Sequence, residues 1–293
     1  MKLELHADDI GASRGVNRNI LSAWKNGAVD GVSVLANGDA VEEAAAEVNK
    51  YPDRALRVVA HLNLSEARPS APETDVPLLL NDHGKLHCGF LGLWLRWLRF
   101  NAEERQELSR QISQEWRAQI EAIHRTFSPR KIVALDGHIH IHMLPFTFAI
   151  AARLAQEFEI DQIRISSEIR HFSFRDSWRF ACLANIVKHQ LLRSLARPAR
   201  RIAREYGLCS PGAVAGLLYS GRMSGTAIEA ATSAARRAGL DWLEVICHPG
   251  RALPEDKLRW DGQAGLARFY FSPDRDFEYQ TLLSIGTTRN SQN

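Results

Sequence analysis

The stretch KIVALDGHIHIHMLP, residues 131–145, decides the fold because it joins a hydrophobic strand to a run of histidines. Its first part, Lys131–Asp136, has the branched apolar residues typical of a buried strand, and Pro145 predicts the end of regular pairing. Side chains on a strand alternate with a period of two, so the histidines are predicted to share one face and the isoleucines between them the other. The three are His138, His140 and His142. The pattern predicts imidazoles at the exit end of a strand, where open α/β sheets and barrels carry their chemistry.

Strands and helices alternate along most of the remaining chain. An apolar stripe at helical spacing, residues 108–127, leads directly into the histidine strand. Further apolar runs typical of strands lie at residues 2–5, 31–36, 55–64, 163–166 and 242–250. This alternation predicts an α/β fold with parallel strands.

The length of 293 residues allows one or two domains, since α/β barrels of roughly 250 residues form a single one. We predict one domain over residues 1–286. Two segments do not fit a minimal barrel and are predicted insertions, at about 86–101 and 171–210. The polar end of the chain, residues 287–293, is predicted to be a disordered tail.

The composition is that of a globular protein, with 45% hydrophobic and 24% charged residues. A net charge of +3 and the lack of nucleic-acid motifs argue against nucleic acid as a partner. The N-terminus has no apolar segment typical of a signal peptide, so we expect a cytoplasmic protein. The cysteines are scattered, which predicts reduced thiols rather than disulfides or a structural zinc site. They are Cys88, Cys182, Cys209 and Cys247.

Acidic and imidazole side chains follow several of the predicted strands. Asp8 and Asp9 follow the first strand, His61 ends the third, and His248 ends the last. In a parallel barrel these ends meet on one face together with the histidine run. Carboxylates and imidazoles from separate strands are the ingredients of a metal-assisted hydrolase. Each has an ordinary structural explanation as well: a helix cap for the Asp pair, a core group for His61, and a turn at His248.

Five motifs, in order and at these intervals, resemble the YdjC-like carbohydrate deacetylases, which include the chitooligosaccharide and hopanoid-associated deacetylases. The motifs are HADDIGASRGVNRNI (6–20), AHLNL (60–64), LDGHIHIHMLP (135–145), LEVICHPG (243–250) and FSPDRDFEYQTLLS (271–284). The resemblance covers the chain from Leu3 to about Ser284. It implies a distorted (β/α) barrel related to the NodB-type polysaccharide deacetylases. It also implies that the substrate is an N-acetylated saccharide, deacetylated with a divalent metal.

The resemblance also assigns roles to individual residues. The metal ligands it implies are Asp9, His61 and His138. It implies Asp8 as the general base, His248 as a protonated general acid and Arg164 as an arginine near the base. Residues implied to orient ligands or to contact the sugar are His140, His142 and Asn63. The chain departs from the family pattern at Gly137, where serine is usual, and at His6, where asparagine is usual.

An Asp/His₂ ligand set with open positions fits Zn²⁺ by ligand type, and Mg²⁺ is the other leading expectation; Mn²⁺ and Co²⁺ stay open. Metal-bound water would then attack the acetamide after losing a proton to Asp8, and His248 would protonate the departing amine. Two other functions stay open. One is a different metal-dependent barrel hydrolase such as a phosphoesterase, and the other is a catalytically silent barrel that binds glycan or lipid.

The two insertions carry aromatic and basic residues. Trp94, Trp97 and Phe100 have spacing typical of a helix face that packs on a core, and Lys188–Arg204 is typical of a solvated basic helix. A saccharide groove at the aromatic residues and a peripheral membrane contact are the alternatives. The oligomeric state, including a homo-oligomer, stays open.

Overall fold

The computed structural model describes residues 1–171 and 180–290. Its strands are β1 Lys2–Ile10, β2 Gly31–Val34, β3 Arg57–Leu62, β4 Ile132–Gly137, β5 Gln162–Ile163, β6 Ala213–Ala215 and β7 Trp242–Cys247. Its α-helices are α1 Arg14–Lys25, α2 Val41–Asn49, α3 Phe90–Arg99, α4 Ala102–Phe127, α5 Pro145–Glu157, α6 Phe180–Glu205, α7 Gly225–Arg237, α8 Ala264–Tyr270 and α9 Asp274–Asn290. Strands and helices therefore alternate along most of the chain as predicted; the strand not predicted is the three-residue β6, and the helices α8 and α9 after β7 were not predicted either.

The strands form one parallel sheet in the order β5-β4-β3-β2-β1-β7-β6. Parallel bridges between Gln162 and Cys209 and between Glu168 and Val214 connect the segment around β5 with that around β6. The two edges of the sheet are thereby joined, and the sheet curls into a distorted barrel. The predicted fold class is confirmed.

Strand β1 carries polar and apolar residues on opposite faces. Glu4, His6 and Asp8 alternate with Leu5 and Ala7, and all five are buried. Leu5 belongs to the apolar core, whereas the polar residues contact polar side chains from other strands. Because side chains alternate along a strand, the barrel interior is polar near its axis, and the apolar core lies between the sheet and the surrounding helices.

The histidine run differs from its prediction. Strand β4 ends at Gly137, and His138–Met143 form a 3₁₀ turn. Ile139 and His140 have positive φ angles of 48° and 61°, which reverse the chain inside this turn. The three imidazoles are therefore not arranged on one face of a strand, and the prediction that they share such a face was wrong. After this turn the chain enters α5, whose first residue is Pro145.

The aromatic residues of the first insertion pack on the core, as expected. Trp94, Trp97 and Phe100 are partly buried against it, and Trp97 stacks on Phe146 with ring centroids 3.9 Å apart. Of the second insertion, the structure describes α6 and the chain around it, while residues 172–179 and the side chain of Cys182 lie outside the described residues. Among the helices that the structure describes, none is long and apolar enough to cross a bilayer.

The C-terminal segment differs from the predicted tail. Helix α9 continues to Asn290, so residues 287–290 are helical rather than disordered. Arg289 contributes an ion pair to Asp30 at 3.1 Å, which fixes the end of the helix to the loop before β2. A basic residue in the last turn is also favourable for the helix dipole.

Candidate metal centre

Asp9 lies where β1 departs from regular strand geometry. The register between β1 and β2 shifts between Ala7 and Ile10, and Asp9 has a φ of 75°. A residue other than glycine in this region is strained, and strain of this kind is typical of functional sites. Because of this bulge, Asp8 and Asp9, although adjacent in sequence, can both direct their side chains toward the exit end of the barrel. Arg275 from α9 donates to Asp9 Oδ2 at 3.1 Å. The other oxygen, Oδ1, faces His61 and His138.

His61 and His138 bring their ring nitrogens to Asp9 Oδ1. The His61 Nε2 atom lies 3.7 Å from Asp9 Oδ1, and His138 Nδ1 lies 3.2 Å from it. One ligand atom from each of the three residues lies within 4.8 Å of the others. The other ring nitrogen of His61, Nδ1, donates to Asp136 Oδ1 at 2.6 Å. This buried carboxylate fixes the His61 ring with Nε2 as the free nitrogen, the arrangement common for metal-bound histidine.

These distances fit a divalent cation. With bonds of about 2.1 Å in tetrahedral geometry, two ligand atoms lie roughly 3.4 Å apart. The two nitrogen–oxygen separations of 3.2 and 3.7 Å are on either side of that value. Two imidazoles and one carboxylate are ligand types that suit Zn²⁺, and three protein ligands leave coordination positions open for water or substrate. The three residues implied by the family resemblance are thus brought together around one point.

Glu66 lies on the other side of His138 and has no counterpart among the predicted site residues. Its Oε1 atom lies 3.0 Å from His138 Nε2. Trp260 Nε1 and the Tyr270 hydroxyl donate to Glu66 at 2.7 and 2.9 Å. Burial disfavours the ionised form, but the charges of Arg259 and His138 outweigh it and lower the pKa of Glu66 to about 2. A fixed negative charge therefore faces His138.

The protonation of His138 follows from this environment. Burial disfavours the imidazolium, but the carboxylates of Asp9 and Glu66 outweigh burial and raise the pKa of His138 to about 10. Burial likewise opposes ionisation of Asp9, but His138 and Arg275 hold the pKa of its carboxyl well below the usual range. A cation at this point would replace the proton on His138.

Asp8 is fixed by a bidentate ion pair with Arg164. The two guanidinium nitrogens lie 3.0 Å from the two carboxylate oxygens, and both residues are buried. Arg164 also donates to Glu244 Oε1 at 2.6 Å and pairs with Asp136. Burial opposes ionisation of Asp8, but the charge of Arg164 outweighs it and lowers the pKa of the carboxyl. Arg164 thus connects the proposed base to Asp136, the carboxylate that orients His61.

Two further groups of acidic and imidazole residues lie deeper in the barrel. One comprises Glu4, His6 and Glu244, and the other His6, Asp8 and Asp136. Each already contacts a guanidinium: Arg57 pairs with Glu4, and Arg164 pairs with Asp8, Asp136 and Glu244. Because arginine supplies the positive charge there, these groups are interior ion networks and poor candidates for a second cation.

His248 follows β7 at the exit end of the barrel; the residue is partly exposed, but the Nδ1 atom of its ring is buried. Its ring packs edge-on against Phe269, with centroids 5.1 Å apart, and its backbone amide donates to Glu278 of α9. Burial lowers the pKa of the imidazole to about 4, and the nearby charges of Asp9 and Asp8 only partly oppose this. His248 is therefore neutral near pH 7, which differs from the protonated state that the sequence led us to expect.

The residues expected to contact sugar or orient ligands are buried. His140 Nδ1 lies 3.0 Å from Ser166 Oγ, and His142 Nε2 donates to the Arg164 carbonyl at 2.9 Å. His142 is fully buried, so contact with a sugar is not available to it, and its hydrogen bond instead supports the backbone that carries Arg164. Asn63 is also fully buried and fixes the turn after β3 through Ser65 and Glu66.

Several site residues were missed by the sequence reading. They are Asp136, Glu66, Arg275, Glu244 and Glu278. Asp136 had a usable signal, because it lies at the end of a predicted strand, two residues before His138. Glu244, Arg275 and Glu278 lie within the motifs at 243–250 and 271–284. Only Glu66 lies outside the quoted motifs. The partners of the other four residues lie far away in the chain, so the motifs alone did not reveal their roles.

A family model described as YdjC-like protein matches residues 2–289. A carbohydrate deacetylase of Halalkalibacterium halodurans is 35% identical over 161 residues, which are 55% of this chain and 62% of that protein. A chitooligosaccharide deacetylase of Salmonella paratyphi B is 35% identical over 155 residues, which are 53% of this chain and 56% of that protein. The chain thus matches less than two thirds of the length of these curated relatives.

One solved structure resembles the whole chain. It belongs to a protein of Enterococcus faecalis named as a cellobiose-phosphate cleavage protein, and it superposes with a TM-score of 0.66 at 19% sequence identity. The superposition covers 99% of this chain and 93% of that protein. At this identity the likeness establishes the fold alone.

Proposed function

Because the chain belongs to the YdjC-like protein family, we propose that it is a carbohydrate N-deacetylase that uses a divalent cation to hydrolyse the acetamide of an N-acetylated amino sugar. One observation carries the proposal: Asp9, His61 and His138, from three separate strand ends, direct ligand atoms at one point. The substrate class is supported by the names of the relatives, which are carbohydrate and chitooligosaccharide deacetylases.

Asp9, His61 and His138 would hold the cation, with Zn²⁺ favoured by the ligand set and Mg²⁺ as the alternative. A divalent cation in such a site polarises a carbonyl oxygen and lowers the pKa of water. Asp136 orients His61, Arg275 orients Asp9, and Glu66 faces the far nitrogen of His138. We expect one cation per chain, because the deeper acidic groups are neutralised by arginine.

Asp8 is the proposed general base. Its carboxylate is kept ionised and oriented by the two hydrogen bonds from Arg164, so it can accept a proton from the attacking water. The oxygen of this water then forms a bond to the acetamide carbon. Arg164 does not itself take part in proton transfer; its role is to position Asp8 and to balance its charge.

His248 is the proposed general acid. It is neutral in the resting protein and takes up a proton from solvent as negative charge develops on the attacked acetamide, because a nearby opposite charge stabilises the imidazolium. Its Nδ1 atom is buried and has no hydrogen-bond partner among the described residues, so that nitrogen is not committed to the protein. Donation to the amide nitrogen lets the carbon–nitrogen bond break with the amine as leaving group and acetate as second product. The proton that Asp8 accepted returns to solvent after the products leave.

The test is acetate release from N-acetylglucosamine oligosaccharides by metal-loaded protein. We expect Asp9→Asn, His61→Ala and His138→Ala to lose both bound metal and activity. His248→Ala should keep the metal and lose about 10²–10⁴-fold in rate, the range for one acid–base group. Leu95→Gln, on the exposed face of α3, is the control and should behave as wild type. Full acetate release by Asp9→Asn would contradict the proposal.

A further inference from the structure

A cavity of about 770 Å³ lies beside α6, away from the candidate metal centre. Its walls come from four places: the segment Ser167–Arg170 after β5, the start of β6 at Gly212 and Ala213, the face of α6 that carries Gln190 and Ser194, and Leu240 before β7. None of the residues proposed to hold the cation or to transfer protons lines it. It is therefore a separate concave surface on the described part of the chain.

Four arginines line this cavity, and we call it the arginine cavity. They are Arg170, Arg193, Arg197 and Arg200. The last three are spaced at i, i+4 and i+7 on α6, so they form a stripe along one face of that helix. Residues seven apart on a helix are roughly 10 Å apart along its axis. The guanidinium groups of one helix face and of the barrel wall thus border the same space.

Within the described part of the chain, these four arginines have no ion-pair partner. Among the lining residues that the structure describes, the one carboxylate is that of Glu168, and its oxygens accept from the backbone amides of Gly216, Leu217 and Leu218 at 2.8–3.1 Å. By contrast Arg201, which does not line the cavity, lies 3.5 Å from Glu205. Like charges at i and i+4 repel one another, and the four arginines are exposed to solvent, so a bound anion would relieve this repulsion and is accessible to them.

We propose that the arginine cavity binds a ligand carrying one or two phosphate groups. The planar guanidinium group presents parallel N–H donors that match phosphate oxygens two at a time, and arginine is the residue typical of such recognition. The length of the stripe suits two phosphates or one phosphate with a further polar group. The ligand is either a small phosphorylated molecule or the headgroup of a phospholipid, and the two sources share the same chemistry. This inference does not depend on the proposed deacetylase activity.

The experiment measures binding of inorganic pyrophosphate to the full chain by calorimetry at low salt, and binding to vesicles of phosphatidylglycerol or of phosphatidylcholine by co-sedimentation. The test variant is the double substitution Arg193→Gln/Arg197→Gln, which keeps helix propensity and removes two charges. The matched control is Arg117→Gln/Arg201→Gln, which removes two charges from arginines that already pair with Glu157 and Glu205. Circular dichroism melting curves verify that both variants fold.

We expect wild type and the control to bind pyrophosphate or phosphatidylglycerol vesicles, and the test variant to bind about tenfold more weakly or not at all, because charge-assisted contacts are lost. Binding of pyrophosphate identifies a small phosphorylated ligand, and binding of phosphatidylglycerol vesicles alone identifies a lipid headgroup. Equal weakening of both double variants would show only a general effect of charge and would overturn the proposal. Failure of wild type to bind either probe would overturn it as well.

Discussion

Gly137, the last residue of β4, shows at the scale of one residue why the chain departs from the family pattern. A Cβ atom at this position would lie 2.6 Å from Nδ1 and 3.0 Å from Cβ of His142. The His142 ring is fully buried and is tied to the Arg164 carbonyl, so it has little room to move. The glycine therefore permits the close approach of His142, rather than of substrate.

We predict that Gly137→Ala lowers the free energy of unfolding by about 1–3 kcal/mol, the usual cost of overpacking a buried site. Gly92→Ala is the matched control, because no heavy atom lies within 4 Å of its added Cβ and the residue is inside α3. This control should gain about 0.5–1 kcal/mol from helix propensity. Urea unfolding measures both, and equal stability of Gly137→Ala and wild type would contradict the packing argument.

Glu278 is a second residue whose burial has a measurable consequence. It accepts from the backbone amides of His248 and Met223, and burial raises the pKa of its carboxyl from 4.5 to about 7 although these amides oppose the shift. Between these two values the folded chain holds a proton that the unfolded chain has released. The contribution of Glu278 to stability therefore falls as the pH rises through this window, by up to about 1.4 kcal/mol per pH unit.

We predict that Glu278→Gln removes this slope from the pH dependence of the free energy of unfolding. It should also destabilise the protein by about 1–3 kcal/mol at pH 5, because the amide group has one acceptor oxygen for two backbone N–H donors. Guanidinium unfolding at pH 5, 6 and 7 measures both effects, with Glu121→Gln on the exposed face of α4 as control. A slope identical to that of wild type would refute the assigned pKa shift.

At the scale of elements, α3 has an unusual distribution of leucines. Leu91, Leu95 and Leu98 are 61%, 51% and 60% exposed, whereas Leu93 is fully buried. Their spacing puts the first three on one face of the helix, opposite the face that packs on the core. The aromatic residues of α3 therefore attach the helix to the barrel, and the exposed leucines contribute little to the stability of the folded chain.

We predict that the triple substitution of Leu91, Leu95 and Leu98 by Gln changes the free energy of unfolding by less than about 0.5 kcal/mol per site, as is usual at exposed positions. Leu93→Ala should cost about 2–5 kcal/mol, because it opens a cavity in the core. Chemical unfolding distinguishes the two results. A large loss of stability in the triple variant would mean that these leucines are covered in solution.

The candidate metal centre takes its residues from β1, β3 and the turn after β4, which meet only in the folded chain. A cation bound there should therefore raise the free energy of unfolding of the whole domain. A ligand at about one hundred times its dissociation constant stabilises by about 2.7 kcal/mol when it binds only the folded chain. The proton on His138, whose pKa is raised to about 10, competes with the cation. Binding of the cation should therefore release a proton and strengthen as the pH rises.

We predict that Zn²⁺ raises the midpoint of thermal unfolding of the chelator-treated protein, more at pH 8 than at pH 6. Asp9→Asn should lose this gain at both pH values, whereas Leu95→Gln should retain it. Differential scanning calorimetry with and without the ion provides the measurement. A gain that is larger at pH 6, or one that Asp9→Asn preserves, would exclude the assigned site.

The sequence by itself determined the alternation of helices with parallel strands and predicted that acidic and imidazole groups meet at one end of the fold. Alternating apolar patterns specify strands and helices locally, and the exit ends of parallel strands meet, so the Asp8–Asp9 pair, His61, His248 and the histidine run could be predicted to converge. The family resemblance then singled out Asp9, His61 and His138 as the metal ligands, and their ligand atoms do lie close together.

Only the tertiary structure decided the conformation of the histidine run and the partners of each ligand. The pattern HIHIH suits a strand, but positive φ angles at Ile139 and His140 make it a turn that leads into α5. Asp136 lies 75 residues from His61, and Tyr270 lies 204 residues from Glu66. Residues this far apart in the chain come into contact only through packing of the whole barrel, and a contact of this kind leaves no local pattern in the sequence. The same packing determines the burial and the nearby charges that make His248 neutral and keep Asp8 ionised.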